Sequence, residues 1–309
     1  MKIAVTGANG FIGRKVVENG IAAGHHILAV VRKNTPSEWH KIDKLQVLHC
    51  DLLDATSLAS SLSGCDALID LAAVMHGNDQ HSQTLKITRN VISCMEQAGV
   101  KKLVGLSSIS ILDYTKQQAM AIIDEDVSIN QVNEQLGPYA LMKRDQEDLY
   151  KAWKAEDSKT VIVRPGIVYD DQQLSNAHVG FIKSKRGIAA IHEGFVPIVH
   201  VNTVAKALIT SAEYEVSNEV IHLVDDDLPN QKQYIDLLKR KGVVSNTIPL
   251  PWKVFSNLMA LIRLPLKLIN KIPDSFRLNS IAARQKPFQF SNDKAKQLLN
   301  WQPKKSLTN

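Results

Sequence analysis

Short apolar runs alternate with longer stretches in which hydrophobic residues recur every three or four positions, and this alternation governs the first half of the chain. Residues 2–6, 26–31, 45–48, 67–72, 103–107 and 161–164 read as strands, short and rich in Val, Ile and Leu. Residues 12–23, 55–62, 84–98 and 139–156 read as the helices between them. Strands apolar on both faces and separated by helices predict an α/β fold built on a doubly wound parallel sheet. After Pro165 the rhythm breaks. Turn residues become frequent, 197–201 and 220–224 stand as isolated strands, and 204–214 reads as a helix between them. The pattern therefore predicts a core over residues 1–170, with segments returning to it near 196–224, and a smaller C-terminal α/β region over 171–309.

Residues 252–272 are apolar with basic punctuation from Lys253, Arg263, Lys267 and Lys271, and Pro251, Pro265 and Pro273 are expected to divide them into short helices. A lid helix packed on the C-terminal region and a helix lying on a membrane surface both fit this pattern. No uncharged apolar run reaches the ~18 residues that a membrane span needs. The N-terminus lacks a basic segment followed by an apolar stretch, so no signal peptide is expected, and the expected location is cytoplasmic.

Hydrophobic residues make up 44% of the 309, enough for a buried core. Cys50, Cys65 and Cys94 have no metal-ligand spacing and are expected to be buried filler in a reducing compartment, so no metal is expected. Charge changes the picture more. The net +6 is unevenly placed: from Gln231 onward there are 15 Lys and Arg against three Asp, leaving residues 1–230 at −6. A basic C-terminal third suits an anionic ligand or an anionic surface, or is a solvated face. No nucleic-acid partner is expected.

Thr6-Gly7-Ala8-Asn9-Gly10-Phe11-Ile12-Gly13 lies where the first strand turns into the first helix. There Gly7 permits a tight turn, Gly10 lets backbone approach a pyrophosphate, and Gly13 lets the helix pack closely on the strand. The helix N-terminus beyond offers free N–H groups to phosphates. At the end of the second strand, a carboxylate would accept from the ribose hydroxyls of NAD. The chain has Arg32-Lys33 instead, and a guanidinium there pairs with the 2′-phosphate of NADP or points to solvent. The spacing favours NADP(H), with NAD(H) as the alternative. Asp51-Leu52 follows the third strand, where the carboxylate can accept from an adenine amino group or cap the next helix.

Tyr139 and Lys143 are four apart, stacked on one helix face. A free phenol titrates near ~10, and a lysine ammonium nearby is expected to lower that value and make the hydroxyl a usable acid. Ser107-Ser108 ends the fifth strand, the edge at which open α/β sheets bind ligands. One of these hydroxyls can polarise a carbonyl that Tyr139 protonates; as the alternative, both are satisfied strand-end groups.

With these motifs the chain resembles the extended short-chain dehydrogenase/reductase family, the NAD(P)-dependent epimerase/dehydratase group of the Rossmann fold class. The resemblance continues through Leu71-Ala72-Ala73, Arg164-Pro165-Gly166-Ile167, Val199-His200-Val201 and Leu299-Asn300-Trp301-Gln302-Pro303. It implies that Ser108, Tyr139 and Lys143 form the catalytic set. It adds Leu71, Ala72, Ala73, Pro165, Gly166 and Ile167 to the cofactor site, beside Gly7, Asn9, Gly10, Phe11, Ile12, Gly13, Arg32, Asp51 and Leu52. The tail most resembles bacterial nucleotide-sugar 4-epimerases and 4-ketoreductases, which implies an anionic nucleotide-sugar substrate contacted by Asn176 and Arg284. Three departures stand out: Thr84 replaces the family's helix asparagine, Ile87-Thr88 its Gly-Thr pair, and Ile111 to Tyr114 its Tyr-Gly. Keto reduction with NADP(H), epimerisation on a retained NAD, and a non-catalytic dinucleotide-binding role are the functions implied, with a homodimer as the common assembly.

Overall fold

The computed structural model describes residues 1–175, 177–268 and 272–303. Its first half alternates as expected: β1 (Lys2–Thr6), α1 (Phe11–Ala22), β2 (His26–Val31), β3 (Leu45–His49), α2 (Leu58–Ser61), β4 (Ala67–Asp70), α3 (Gln80–Ala98) and β5 (Lys102–Leu106). A short β6 (Ile122–Ile123), α4 (Pro138–Ala152), β7 (Lys159–Pro165) and β8 (Ile167–Tyr169) follow. Then come β9 (Gly180–Lys183), β10 (Arg186–Ile191), β11 (Ile198–His200), α5 (Val201–Glu213) and β12 (Glu219–Leu223). The chain ends through α6 (Gln231–Arg240), β13 (Asn246–Pro251), α7 (Trp252–Leu268), α8 (Leu278–Gln285), β14 (Gln289–Phe290) and α9 (Asp293–Leu299).

Seven strands form one parallel sheet in the order β12-β7-β5-β4-β1-β2-β3. This is a doubly wound, Rossmann-like α/β fold, and its strand order reverses between β1 and β4. One face carries α1 and α5, whose Val16, Val17, Val204 and Leu208 bury against Ile3, Val5, Ile27 and Ile69. The other carries α3 and α4, with Val91, Met95 and Tyr150 against Ala4, Leu28, Leu68 and Leu103. Because helices cover both faces, alternate residues of each strand are equally apolar. All three cysteines are buried and free.

Element ends differ from the periodic pattern where a local bond overrides it. The helix expected over 55–62 shrinks to α2 because Ala55 adopts φ +57°, a left-handed conformation that cannot start a helix. The strand expected to reach Ala72 stops at Asp70, since the N–H groups of Leu71 and Ala72 turn to Thr6 Oγ1 at 3.1 and 3.2 Å. The expected break at Pro265 does not occur: α7 runs through it as one helix. Proline there withholds a donor from the Leu261 carbonyl, and Leu261 is a solvent-facing residue whose carbonyl can bond water instead.

Beyond β8 the chain adds a second layer. Its main sheet has the order β13-β10-β9, with β10 parallel to β13 and antiparallel to β9. None of these strands was legible in the pattern: β9 is only Gly-Phe-Ile-Lys, and β13 carries two prolines. Two-stranded pairings of β11 with β8 and of β14 with β6 tie this layer to the core.

Candidate active site

At the carboxyl ends of the sheet strands, around the reversal between β1 and β4, lies a cleft of about 690 Å³. Its walls include Gly7, Asn9, Gly10, Phe11, Ile12 and Gly13, and farther along Arg32, Asp51, Leu52, Leu71, Ala72 and Ala73. Gly7 sits at φ +61°, and a Cβ there would lie 3.0 Å from the Leu71 carbonyl oxygen. A Cβ on Gly13 would lie 2.2 Å from the Gly7 carbonyl oxygen, so only glycine allows α1 to start this close to β1. No side chain caps α1 and its first turn holds no acid, so its leading N–H groups stay available to an anion. These residues fit the pyrophosphate of a dinucleotide.

The floor of the cleft is a buried polar frame. Asp70, at the end of β4, accepts from the Thr6 hydroxyl and from Tyr150 Oη at 2.8 Å. Burial raises its pKa, against the lowering effect of those bonds and of Lys143. Asp51 does not cap a helix: its Oδ1 accepts from the N–H of Leu53 at 3.0 Å and shapes its own turn. Asn90 Nδ2 donates to the carbonyls of Leu52 and Leu53 at 2.8 and 3.1 Å, fixing the loop that forms this wall.

Gly137 and Pro138 begin α4, and proline at the first helical position sets the turn that presents Tyr139. Tyr139 is 40% exposed and lines the cleft. A second cavity of about 260 Å³ lies beyond it, with Ser108, Tyr114, Gly166, Ile167, His178 and Arg284 among its lining. Tyr139 alone among the described residues lines both spaces. The two serines separate here. Ser107 Oγ is buried and donates to Glu147 Oε2 at 2.6 Å, whereas Ser108 opens on the smaller cavity beside Tyr139.

Lys143 is buried, and its Nζ donates to the Leu106 carbonyl at 2.8 Å and to Gln146 Oε1 at 2.9 Å. Desolvation brings its pKa down to about 8, although Asp70 and Glu147 pull the other way. The expected lowering of Tyr139 by Lys143 is not what this geometry produces. Desolvation raises the Tyr139 hydroxyl, and the Ser108 hydroxyl, not the ammonium, works against that rise. In the smaller cavity Arg284 loses basicity through desolvation, which Asp274 opposes. Its guanidinium has no ion pair or hydrogen bond with the described residues, which leaves it available to an anion. His178 beside it is held neutral, its pKa down to about 3 through desolvation and the charge of Arg284.

A family model described as the NAD dependent epimerase/dehydratase family matches residues 3–223. The chain belongs to that family. It is thus an enzyme of the NAD(P)-dependent epimerase/dehydratase group. It is 23% identical to the decarboxylating sterol-4-alpha-carboxylate 3-dehydrogenase of Dictyostelium discoideum, over 97% of this chain and 95% of that protein. It is 22% identical to a 4-hydroxy-2-methyl-3-oxo-4-farnesyl-3,4-dihydroquinoline-1-oxide ketoreductase of Stigmatella aurantiaca, over 82% of this chain and 77% of the other. Among solved structures, UDP-glucuronic acid 4-epimerase from Bacillus cereus, in complex with UDP-glucuronic acid and NAD, superposes with a TM-score of 0.70. That match has 19% identity and covers 99% of this chain and 95% of that one, which is a likeness of fold.

Several family positions fall elsewhere than the motifs suggest. Pro165 is buried at the end of β7, paired with Leu223, and lines neither cavity. Gly166 and Ile167 line the smaller cavity and not the cleft. Asn176 lies outside the described residues. Thr84, in place of the family asparagine, is buried and accepts from the N–H of Val74 at 2.9 Å, so it holds the loop after β4. Arg14 was not singled out by sequence. Its Nε donates to Asn9 Oδ1 at 2.8 Å, and Asn9 in turn donates to the Asn34 carbonyl, two residues past Arg32. Arg32 thus lines one end of the cleft and Arg14 reaches its wall through Asn9, and neither has a carboxylate partner among the described residues.

Proposed function

We propose that this enzyme is an NADPH-dependent reductase acting on a keto group of a nucleotide-activated sugar. The observation that carries this reading is Tyr139, shared between a glycine-walled cleft with cationic Arg32 and a separate cavity holding Ser108 and Arg284. When bound in the cleft, the nicotinamide supplies a hydride to the carbonyl carbon. Ser108 donates a hydrogen bond that holds the carbonyl oxygen, and the Tyr139 hydroxyl gives it a proton, so ketone becomes alcohol. Desolvation leaves the Tyr139 hydroxyl protonated at neutral pH but a weaker acid than a free phenol, and the hydrogen bond with Ser108 works against that rise. Lys143 holds positive charge beneath the site. Arg284 pairs with the anionic part of the substrate.

The test is NADPH consumption by the purified enzyme with 4-keto nucleotide sugars. Net oxidation of NADPH supports the reading. Tightly held NAD with substrate isomerised and no net consumption would make the enzyme an epimerase instead. Dinucleotide binding without turnover on any carbonyl would leave a binding protein.

Cofactor choice has its own check. Arg32→Ser should weaken NADPH binding roughly ten- to a hundredfold, the value of a charge-assisted hydrogen bond, and leave NADH binding nearly unchanged. Titration of both cofactors with wild type and variant reads this directly; equal losses for the two would remove Arg32 from the 2′-phosphate.

The pH profile follows from Lys143. Its charge is present below its value of about 8 and lost above it. The reduction rate at saturating NADPH should therefore be level near neutral pH and fall as pH rises through about 8. A rate held up to about pH 10, where an ordinary lysine titrates, would mean that its charge is not used.

A further inference from the structure

The helix α7 is apolar on two sides, and only one of them is covered. Phe255 and Met259 are buried with Ala190 of β10 and Phe276, while Trp252, Leu258 and Leu266 pack at the margin of the same cluster. On the opposite side Val254, Asn257, Leu261 and Leu264 recur at three- and four-residue spacing, which places them in one stripe. Val254 is 52% exposed, Leu261 65% and Leu264 62%, and Ile248 on the preceding strand is 63% exposed. Three large aliphatic side chains along one helix face do not arise from the needs of the core, because the core-facing side is already filled.

The charge around this face is predominantly positive, with Asp236 and Asp274 as the acids at its margins. Residues 237–273 contain seven Lys and Arg and no Asp or Glu. Of these, Lys239, Arg240 and Lys241 are exposed at the end of α6, and Lys253 is exposed in the first turn of α7. Lys183, Lys185 and Arg186 are exposed on the hairpin between β9 and β10. That hairpin meets the segment leaving α6, since the Ser245 N–H and Oγ both donate to the Lys185 carbonyl, at 2.8 and 3.0 Å. A protein partner of ordinary composition would match such a surface with scattered carboxylates. A sheet of phosphates above hydrocarbon matches both the cations and the bare aliphatic stripe at once. No helix among the described residues is long and apolar enough to cross a membrane, so the contact is one of lying on the surface.

We propose that the outer face of α7, with the flanking cations of α6 and the β9–β10 hairpin, docks on an anionic phospholipid surface. The inner face of α7 packs on Phe276, in the turn before α8, and on Ile281 of α8, and α8 carries Asn279, Ser280, Ala283 and Arg284 of the smaller cavity. Docking therefore sets that cavity one helix away from the bilayer. The proposal does not depend on the identity of the reduced group.

Sedimentation of the full-length enzyme with vesicles tests it. Binding should be at least about tenfold stronger to phosphatidylcholine vesicles containing phosphatidylglycerol than to phosphatidylcholine alone, and should weaken with added salt. The double variant Leu261→Asp, Leu264→Asp should lose this binding yet keep wild-type affinity for NADPH, which shows that it has folded. Equal binding by wild type and variant would overturn the proposal, as would no binding to either vesicle. A wild-type dimer that the variant converts to monomer, without vesicle binding by either, would assign the face to a second copy of the chain.

Discussion

Tyr139→Phe is expected to lower turnover roughly 10²- to 10⁴-fold, the usual contribution of a positioned general acid, with little change in NADPH affinity. The substitution removes one oxygen and keeps the ring that separates the cleft from the smaller cavity. The proton that must reach the carbonyl oxygen then has no donor of suitable position. Ser108 is close, but a serine hydroxyl is a far weaker acid than a phenol. Lys143 is not placed to substitute, since it lines the cleft and not the smaller cavity, and two of its three protons are held by Leu106 and Gln146. Steady-state rates with NADPH, set beside NADPH binding by fluorescence, separate the two effects. Activity within about tenfold of wild type, less than any positioned acid is worth, would show that another group protonates the product. An equal loss of cofactor affinity would make the hydroxyl a binding contact instead.

Glu147→Gln should destabilise the fold by about 3–5 kcal/mol, the cost of breaking a buried ion pair by removing one partner. Glu147 is fully buried and accepts from Arg164 Nε at 3.0 Å, Arg164 Nη2 at 2.5 Å and Ser107 Oγ at 2.6 Å, with Lys151 Nζ at 2.6 Å. An amide leaves the Arg164 guanidinium, itself 3% exposed, without a counter-charge. His222 beside it cannot compensate, because desolvation and Arg164 hold it neutral, with a pKa of about 3. Burial works to raise the Glu147 carboxyl, but its cationic and hydroxyl partners outweigh that and keep it below the usual range. A depressed carboxyl stabilises the fold above its unfolded value and loses that contribution as pH falls through its folded one. The variant should therefore lose stability at neutral pH and show less of this acid-linked decline. Urea denaturation at neutral and acidic pH reads both. A loss under about 1 kcal/mol would mean that water reaches Arg164 and takes over the role of the pair.

Legibility differed by the kind of determinant. The glycines at 7, 10 and 13 were readable because their requirement is local: a strand, a turn and a helix start within a few residues, and the backbone approaches follow from that path. The parallel sheet was readable because burial on both faces leaves a continuous apolar run in each strand. The four-residue spacing of Tyr139 and Lys143 placed them on one helical face. What it could not supply was their surroundings. Strand-end placement does not distinguish Ser107 from Ser108, which only the family resemblance separated; in the fold a glutamate 40 positions away takes one and leaves the other to the cavity. Asp70 and Tyr150, 80 positions apart, likewise meet only in the folded chain.

The amino-acid sequence by itself determined the fold class, the dinucleotide cradle and the residue types available for acid chemistry. Tertiary structure supplied the physical reason why Ser108 and not Ser107 opens on the smaller cavity, and it alone decided that desolvation rather than Lys143 dominates Tyr139 and that α7 continues through Pro265 with one side uncovered. The physical reason is common to all three. Hydrophobic period and glycine placement act over a few residues, whereas desolvation, ion pairing and the covering of a helix face depend on what distant segments bring alongside.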